Sequence, residues 1–352
     1  MIMEGAPSCR PVPAHVRALL EARARTLPEE LSRALALDVA SPALPRGASV
    51  VVTGVGASEG PARYLALLLH RAGRRAVFAP LSAFMLGGTA ALGDALVIFS
   101  QGLSPNARLA LRRAPEHAAA ILFTSTIAER ASTEVRACLE AFARAGGQSL
   151  VLPPEDESGT LVRLVGPVIA LLAAARFAAA DGAPSLDPAA LATVPALAES
   201  AEPRADAALA LLPPLSLHRR LAFVAAGAAI EGAHGLRGKW MEGLGAPEPP
   251  LWDVLQVAHG PFHEIFAEEV TLVTLEHAAA SPPERELFDR LAQMLVPSRH
   301  AVLRLHAALP PPLDVIDHEL LVTALLLRAL HDRSKDLAAA LGPDAPLYGL
   351  GR

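Results

Sequence analysis

Aromatic residues are scarce in this chain, 4% against 52% hydrophobic residues overall, so its cores must be built from Ala, Leu and Val. Cysteine is nearly absent. Cys9 and Cys138 are the whole complement, too few for a disulfide framework, and a reducing compartment is the simpler setting. Excess positive charge is also missing: the formal net charge is −5, which argues against a nucleic-acid binder that relies on a strongly basic face. No run approaches eighteen uninterrupted apolar residues, so no transmembrane helix is expected. Met1–Pro11 lacks the basic start and apolar core of a signal peptide. These absences lead to a soluble cytoplasmic protein with neither membrane nor nucleic acid as partner. At 352 residues the chain is long enough for two domains with separate cores.

What is present is a repeated strand–turn–helix signal. The apolar run Ser49-Val50-Val51-Val52-Thr53 leads into Gly54-Val55-Gly56-Ala57-Ser58-Glu59-Gly60 and then a helical pattern at Ala62, Leu65, Ala66 and Leu69. Such a junction gathers unpaired backbone N–H groups and the positive end of a helix dipole, which suits a phosphate or another anion. Nearly the same letters return as Gly227-Ala228-Ala229-Ile230-Glu231-Gly232 behind Leu221–Ala226.

The chain opens with helical spacing over Pro13–Leu37. Strands are expected at Ser49–Thr53, Arg75–Ala79, Ala95–Phe99, Ala119–Phe123 and Gln148–Leu152. Helices are expected between them at Pro61–Ala72, Ser104–Arg113 and Glu129–Ala145, with an Ala-rich helix at Leu161–Ala180. Asp181–Pro203, rich in Pro, Ala and Asp, reads as a linker. The second half repeats the plan, with strands at Leu221–Ala225, Val270–Leu275 and His300–Leu305. Its helices fall at Ile230–Gly243, His259–Phe266, Pro283–Leu295 and Asp317–Asp332. A βαβ succession of this kind predicts an α/β fold with parallel sheets covered on both faces.

In an open parallel sheet, ligands sit outside the carboxyl ends of the strands. Ser100, Gln101 and Ser104 follow the third strand and would lie there beside Ser58, offering hydroxyl and amide donors. Ser104 can equally cap a helix whose first residue is Pro105. His259 and His263 are four apart with Glu264 adjacent, but the order is not His-Glu-x-x-His, so neither a metal nor any other cofactor is expected.

The glycine-serine turn, the strand ending Ser100-Gln101-Gly102-Leu103-Ser104 and the distant His259-Gly260-Pro261 together resemble the sugar isomerase (SIS) fold. The resemblance is to its tandem form, as in the isomerase half of glucosamine-6-phosphate synthase and in the amino-sugar phosphate isomerase/deaminases. It implies two SIS domains, residues 45–182 and 206–341, joined by a linker at 183–205. A helical leader at 1–44 precedes them, and a C-terminal loop at 342–352 closes on the site. By the same resemblance Ser58, Ser100, Gln101 and Ser104 bind a sugar phosphate, and Glu157, before an apolar helix, lines the sugar pocket. An ordinary helix N-terminus accounts for Glu157 as well. The serine turn is one residue shorter than the family's usual Ser-Gln-Ser-Gly-x-Thr/Ser.

Glu231-Gly232-Ala233-His234-Gly235-Leu236-Arg237-Gly238 resembles the family's Glu-Gly-Ala-Leu-Lys-Leu-Lys-Glu. In the relatives the histidine of His-Gly-Pro, here His259, helps to open the sugar ring, and the last glutamate moves a proton between C1 and C2. That glutamate position falls on Gly238. Glu242, one helical turn further on, is either its substitute or a solvated surface glutamate, and Glu231 is a second candidate. Arg352 stands where the family has a lysine, and an arginine can hold an anion but cannot readily deprotonate.

Two functions follow from the resemblance. One is an aldose–ketose isomerase for a phosphorylated sugar or amino sugar, with or without deamination, working as a homodimer and without a glutaminase domain. The other is a sugar-phosphate-binding protein that has lost the proton-transfer glutamate and the lysine.

Overall fold

The computed structural model describes residues 14–39, 44–153, 157, 160, 162–183, 186–212, 217 and 219–332. The leader forms α1 (Ala14–Leu35), a single helix that runs through Pro28. The first half then alternates β1 (Val50–Gly54), α2 (Glu59–Arg71), β2 (Ala76–Phe78), β3 (Ala95–Phe99), α3 (Arg108–Arg112), β4 (Ala119–Thr124), α4 (Thr133–Arg144) and β5 (Gln148–Val151). It ends in α5 (Val165–Ala180). Next come α6 (Pro188–Ala192) and α7 (Val194–Leu209), so the stretch read as a linker is largely helical. The second half holds β6 (Arg220–Ala225), α8 (Ala228–Leu244), β7 (Leu251–Asp253), α9 (Pro261–Ala267), β8 (Val270–His277), α10 (Pro282–Met294), β9 (His300–Ala307) and α11 (Asp314–Asp332).

The strands form two parallel sheets, ordered β2-β1-β3-β4-β5 and β7-β6-β8-β9. The strands β1, β3, β4, β6 and β8 bury both faces, which explains their unbroken apolar runs. Val50, Val52, Ala95, Val97 and Phe99 point into the main core between the sheets, with α2, α5, α8 and α11. Val51, Leu96 and Ile98 alternate to the outer face and pack with residues of α3 and α4. In the second sheet Ala222, Val224 and Leu272 do the same with residues of α9 and α10. The two halves are therefore joined through a layer of four helices, within which α5 is apolar and buried around nearly its whole circumference. Among the described residues no helix is long and apolar enough to cross a membrane.

Glycine sets how closely the halves approach. A Cβ on Gly60 of α2 would stand 3.0 Å from the Gly232 carbonyl oxygen and 3.1 Å from the Gly235 nitrogen of α8. The two helices that open the two repeats therefore meet almost backbone to backbone. The expected helix at Ser104–Arg113 is shorter than its pattern suggested. Leu103 is left-handed (φ 48°), and the chain makes a turn before α3 begins at Arg108. Likewise α4 starts at Thr133 because the Ser132 hydroxyl caps it, accepting from the Val135 N–H at 3.4 Å.

Candidate functional site

The chain leaves β1 toward β2 on one side of the first sheet, while β3 lies on the other side. That switch opens a crevice at the carboxyl ends of β1 and β3. A small pocket occupies it, lined by Ala57 and Ser58 after β1, Ser100 and Gln101 after β3, Thr124 and Ser125 after β4, and Gly166 of α5. Its free volume is about 10 Å³, the room of roughly one water molecule.

Local backbone demands hold each hydroxyl in place. A Cβ on Gly54 would lie 2.3 Å from the Ser58 carbonyl oxygen, so only glycine lets the turn fold back over the end of β1. The one-turn helix Gly56–Ser58 then delivers Ser58 at the start of α2. The turn after β3 is bound to the end of β4. The Gln101 carbonyl accepts from the Ser125 N–H at 3.0 Å and from the Thr124 and Thr126 hydroxyls at 3.2 and 3.1 Å.

Glu157 closes the third side. The residue is 3% exposed, and its carboxylate accepts from the backbone N–H groups of Leu164, Val165 and Gly166 at 2.6, 2.9 and 2.9 Å. The same carboxylate accepts from Gln101 Nε2 at 2.9 Å. The protein's own carboxylate thus fills the N-terminus of α5 that would otherwise attract a bound anion. Glu157, read from the sequence as a sugar contact or a helix start, performs the second role and positions Gln101. A Cβ on Gly166 would meet the Gln101 side chain at 2.3 Å, so this glycine makes room for the contact.

Helix α8 passes the pocket from the second repeat, packing against the Gly56–Ser58 turn. Near its start Glu231 lies 3.6 Å from Arg63 of α2, which also holds Glu59 at 2.7 Å and sits 4.1 Å over the Phe78 ring. Burial, followed by the nearby Arg63 charge, pushes the His234 pKa down to about 4. Among the described residues, and apart from the backbone of α8 itself, no atom lies within 4 Å of where a Cβ on Gly238 would stand. Glu242 is half-buried, and burial pushes its pKa up to about 7 against the opposing charges of Arg163 and Lys239. It is therefore no ordinary solvated glutamate. Lys239 is already engaged, since it is buried in an ion pair with Glu319 of α11 and donates to Thr323 Oγ1 at 2.7 Å.

The structure brings Ser58, Ser100 and Gln101 together as the sequence suggested. Ser104 stands outside the pocket lining, and its hydroxyl accepts from the Ala107 N–H at 3.4 Å within the turn. His259 is exposed on the turn before α9 and also lies outside the lining. His263 is exposed, and Glu264 pairs with Arg220. Among the described residues no group of three or more His, Cys, Asp or Glu side chains could hold a metal ion. Arg352, Ser158 and Gly159 lie outside the described residues. Sequence reasoning missed Thr124 and Ser125, for which the only signal was the hydroxyl run Thr124-Ser125-Thr126 at a strand end. It also missed that the charge of Arg163 acts on Glu242 of the other repeat.

No protein-family model and no curated protein matches the chain. Solved structures do. A proposed phosphosugar isomerase from Silicibacter pomeroyi is 18% identical with a TM-score of 0.67, and the match covers 89% of this chain and 97% of that one. Glucosamine-6-phosphate deaminase from Thermotoga maritima is 15% identical with a TM-score of 0.65, over 91% of this chain and 96% of that one. The C-terminal domain of glucosamine-fructose-6-phosphate aminotransferase from Francisella tularensis is 12% identical with a TM-score of 0.64, over 90% and 97%. The fold is that of the tandem SIS proteins, two parallel sheets flanked by helices.

Proposed function

We propose that the chain is an aldose–ketose isomerase for a phosphorylated sugar or amino sugar, working from the pocket at the carboxyl ends of β1, β3 and β4. The observation that carries this reading is Glu242, a half-buried carboxyl with a pKa of about 7. It belongs to a helix that packs against the Ser58 turn. A general base works best when its pKa lies near the operating pH. In its ionised form Glu242 removes the C2 proton of the open-chain aldose, and the electron pair moves to form a C1–C2 enediolate with its charge on O1. The protonated carboxyl then returns the proton to C1 while the O2 proton passes to O1, leaving the ketone at C2. With an amino group on C2 the same step yields an imine, whose hydrolysis releases ammonia. One carboxylate serves both outcomes.

The hydroxyls of Ser58 and Ser100 hold the phosphate in this reading, with Gln101 behind them and Ser104 joining when the turn after β3 moves outward. Such a movement is required because about 10 Å³ does not admit a sugar phosphate. His259, exposed on its turn, opens the sugar ring in the pocket of a second subunit of a homodimer. Glu231, tied to Arg63, orients the start of α8, and Arg352 holds a substrate oxygen. The test is exchange with solvent deuterium of the C2 hydrogen of glucosamine 6-phosphate and of a C1 hydrogen of fructose 6-phosphate. Exchange should occur in the parent and fall at least a hundredfold in Glu242→Gln, a typical share for a general base. Exchange that survives the substitution unchanged would refute the assignment.

A second reading, a sugar-phosphate sensor without turnover, is favoured by the glycine at position 238 and by the closed pocket. Tight binding of a sugar phosphate without any C2 exchange would select it.

A further inference from the structure

The segment between Glu157 and α5 carries a cation that the proposed proton transfer and phosphate site leave unused. Arg163 is half-buried, and its Nη1 is shielded from solvent with no hydrogen-bond partner among the described residues. A guanidinium presents five N–H donors in a planar fork, and a buried donor without an acceptor is costly. Arg163 stands three residues before Gly166 of the pocket wall, and its charge acts on Glu242 of α8. The backbone donors of α5 are occupied by Glu157, so the end of this helix has nothing left to offer a ligand. Among the described residues, Arg163 Nη1 is a shielded donor without an acceptor, in the segment that leads into this wall.

The charged groups around α8 single it out further. Lys239 also acts on Glu242, but it is buried against Glu319 of α11. Arg63 and Glu59 of α2 lie at the other end of the helix, with Glu231 and His234. Arg237 is held by Glu248 at 3.0 Å and donates to the Pro249 carbonyl at 2.8 Å.

We propose that Arg163 is a substrate-binding residue of this site, donating from Nη1 to an oxygen of the bound sugar phosphate. The inference rests on the isomerase reading. An arginine suits the task because its charge persists at every working pH and its fork can hold a ligand oxygen and face a carboxylate together.

The test uses the full chain with Arg163→Met and Arg163→Lys, each checked for unchanged thermal unfolding. Exchange of the C2 hydrogen of glucosamine 6-phosphate and of a C1 hydrogen of fructose 6-phosphate is followed across the acidic limb of the pH–rate profile. Arg163→Met should raise KM about tenfold, as expected for a lost charge-assisted hydrogen bond, and move the acidic limb upward by about half a pH unit. Arg163→Lys should restore the limb, because the charge returns, and leave KM raised, because the fork does not. A purely structural role would leave the limb in place. Arg163→Met with both KM and the limb unchanged overturns the proposal. If the parent exchanges neither sugar, the isomerase reading fails alone. Arg163 is then judged on the unliganded protein, by the NMR titration of the Glu242 carboxyl and by calorimetry with inorganic phosphate. A Glu242 midpoint that rises in Arg163→Met together with weaker phosphate binding sustains the proposal, and both unchanged overturn it.

Discussion

Replacing Asp314 with asparagine should change how stability depends on pH, and the structure fixes the sign. Asp314 is the first residue of α11, is 2% exposed, and has an Oδ1 with no hydrogen-bond partner among the described residues. Burial raises its pKa from the ordinary 3.8 to about 7, reinforced by Glu284 and opposed by the Val315 N–H and Arg71. A carboxyl raised in this way stabilises the fold below its unfolded value, and that contribution is lost as pH climbs through the folded value. Roughly three pH units at about 1.4 kcal/mol each give about 4 kcal/mol. His318, one turn further along α11, has the opposite sign. Burial lowers its pKa from 6.5 to about 4, so its contribution is lost as pH falls through that interval. That amounts to about 3 kcal/mol by the same conversion. In the parent the two slopes oppose each other between about pH 4 and 6.5 and nearly cancel. Asp314→Asn removes one of them. Urea unfolding at constant ionic strength should therefore show the variant gaining on the parent by about 4 kcal/mol between pH 4 and 8. Parallel stability curves for the two proteins would refute the reasoning.

Three further substitutions probe the packing and the site. Gly60→Ala pushes a methyl group into the backbone of α8 at 3.0 Å, and urea unfolding should register a loss of about 1–3 kcal/mol. Glu157→Gln keeps the shape but removes the charge that three N–H groups of α5 and Gln101 share. It should cost about 1–3 kcal/mol, with faster amide exchange at Leu164, Val165 and Gly166. Unchanged exchange there would contradict the capping role. A Cβ at position 238 has open space around it among the described residues, so Gly238→Glu should stay within about 0.5 kcal/mol of the parent in stability. Its C2 exchange rate should rise, and a clear loss of stability would show that the position is not open.

Much of this architecture can be read in the residues because the central strands bury both faces. Val50–Val52 and Ala95–Phe99 announce themselves as continuous apolar runs, and β3 falls where its run does. Strand β7 escapes because it is three half-buried residues at a sheet edge, too short to show a period. The stretch at 183–205 was judged by its Pro and Asp content. The buried positions Val194, Ala201 and Ala205 of α7 follow helical spacing instead, and the helix packs on α11. At the site, Ser58, Ser100 and Gln101 are legible because strand–turn–helix junctions place them. Glu157 was ambiguous in sequence, since a carboxylate before a helix can face a ligand or the helix itself, and geometry decides for the helix. The surroundings of Glu242 were illegible, because the charge of Arg163 reaches it from the other repeat. Such long-range placement leaves no local pattern.

The account turns on a sugar phosphate lying between the β1–β3 crevice and α8. The most direct measurement is a crystal structure of the full chain with fructose 6-phosphate bound. The account predicts the phosphate on the Ser58 and Ser100 hydroxyls and Glu242 facing C2. A phosphate bound away from those serines, or a sugar whose C2 is turned away from Glu242, would contradict it.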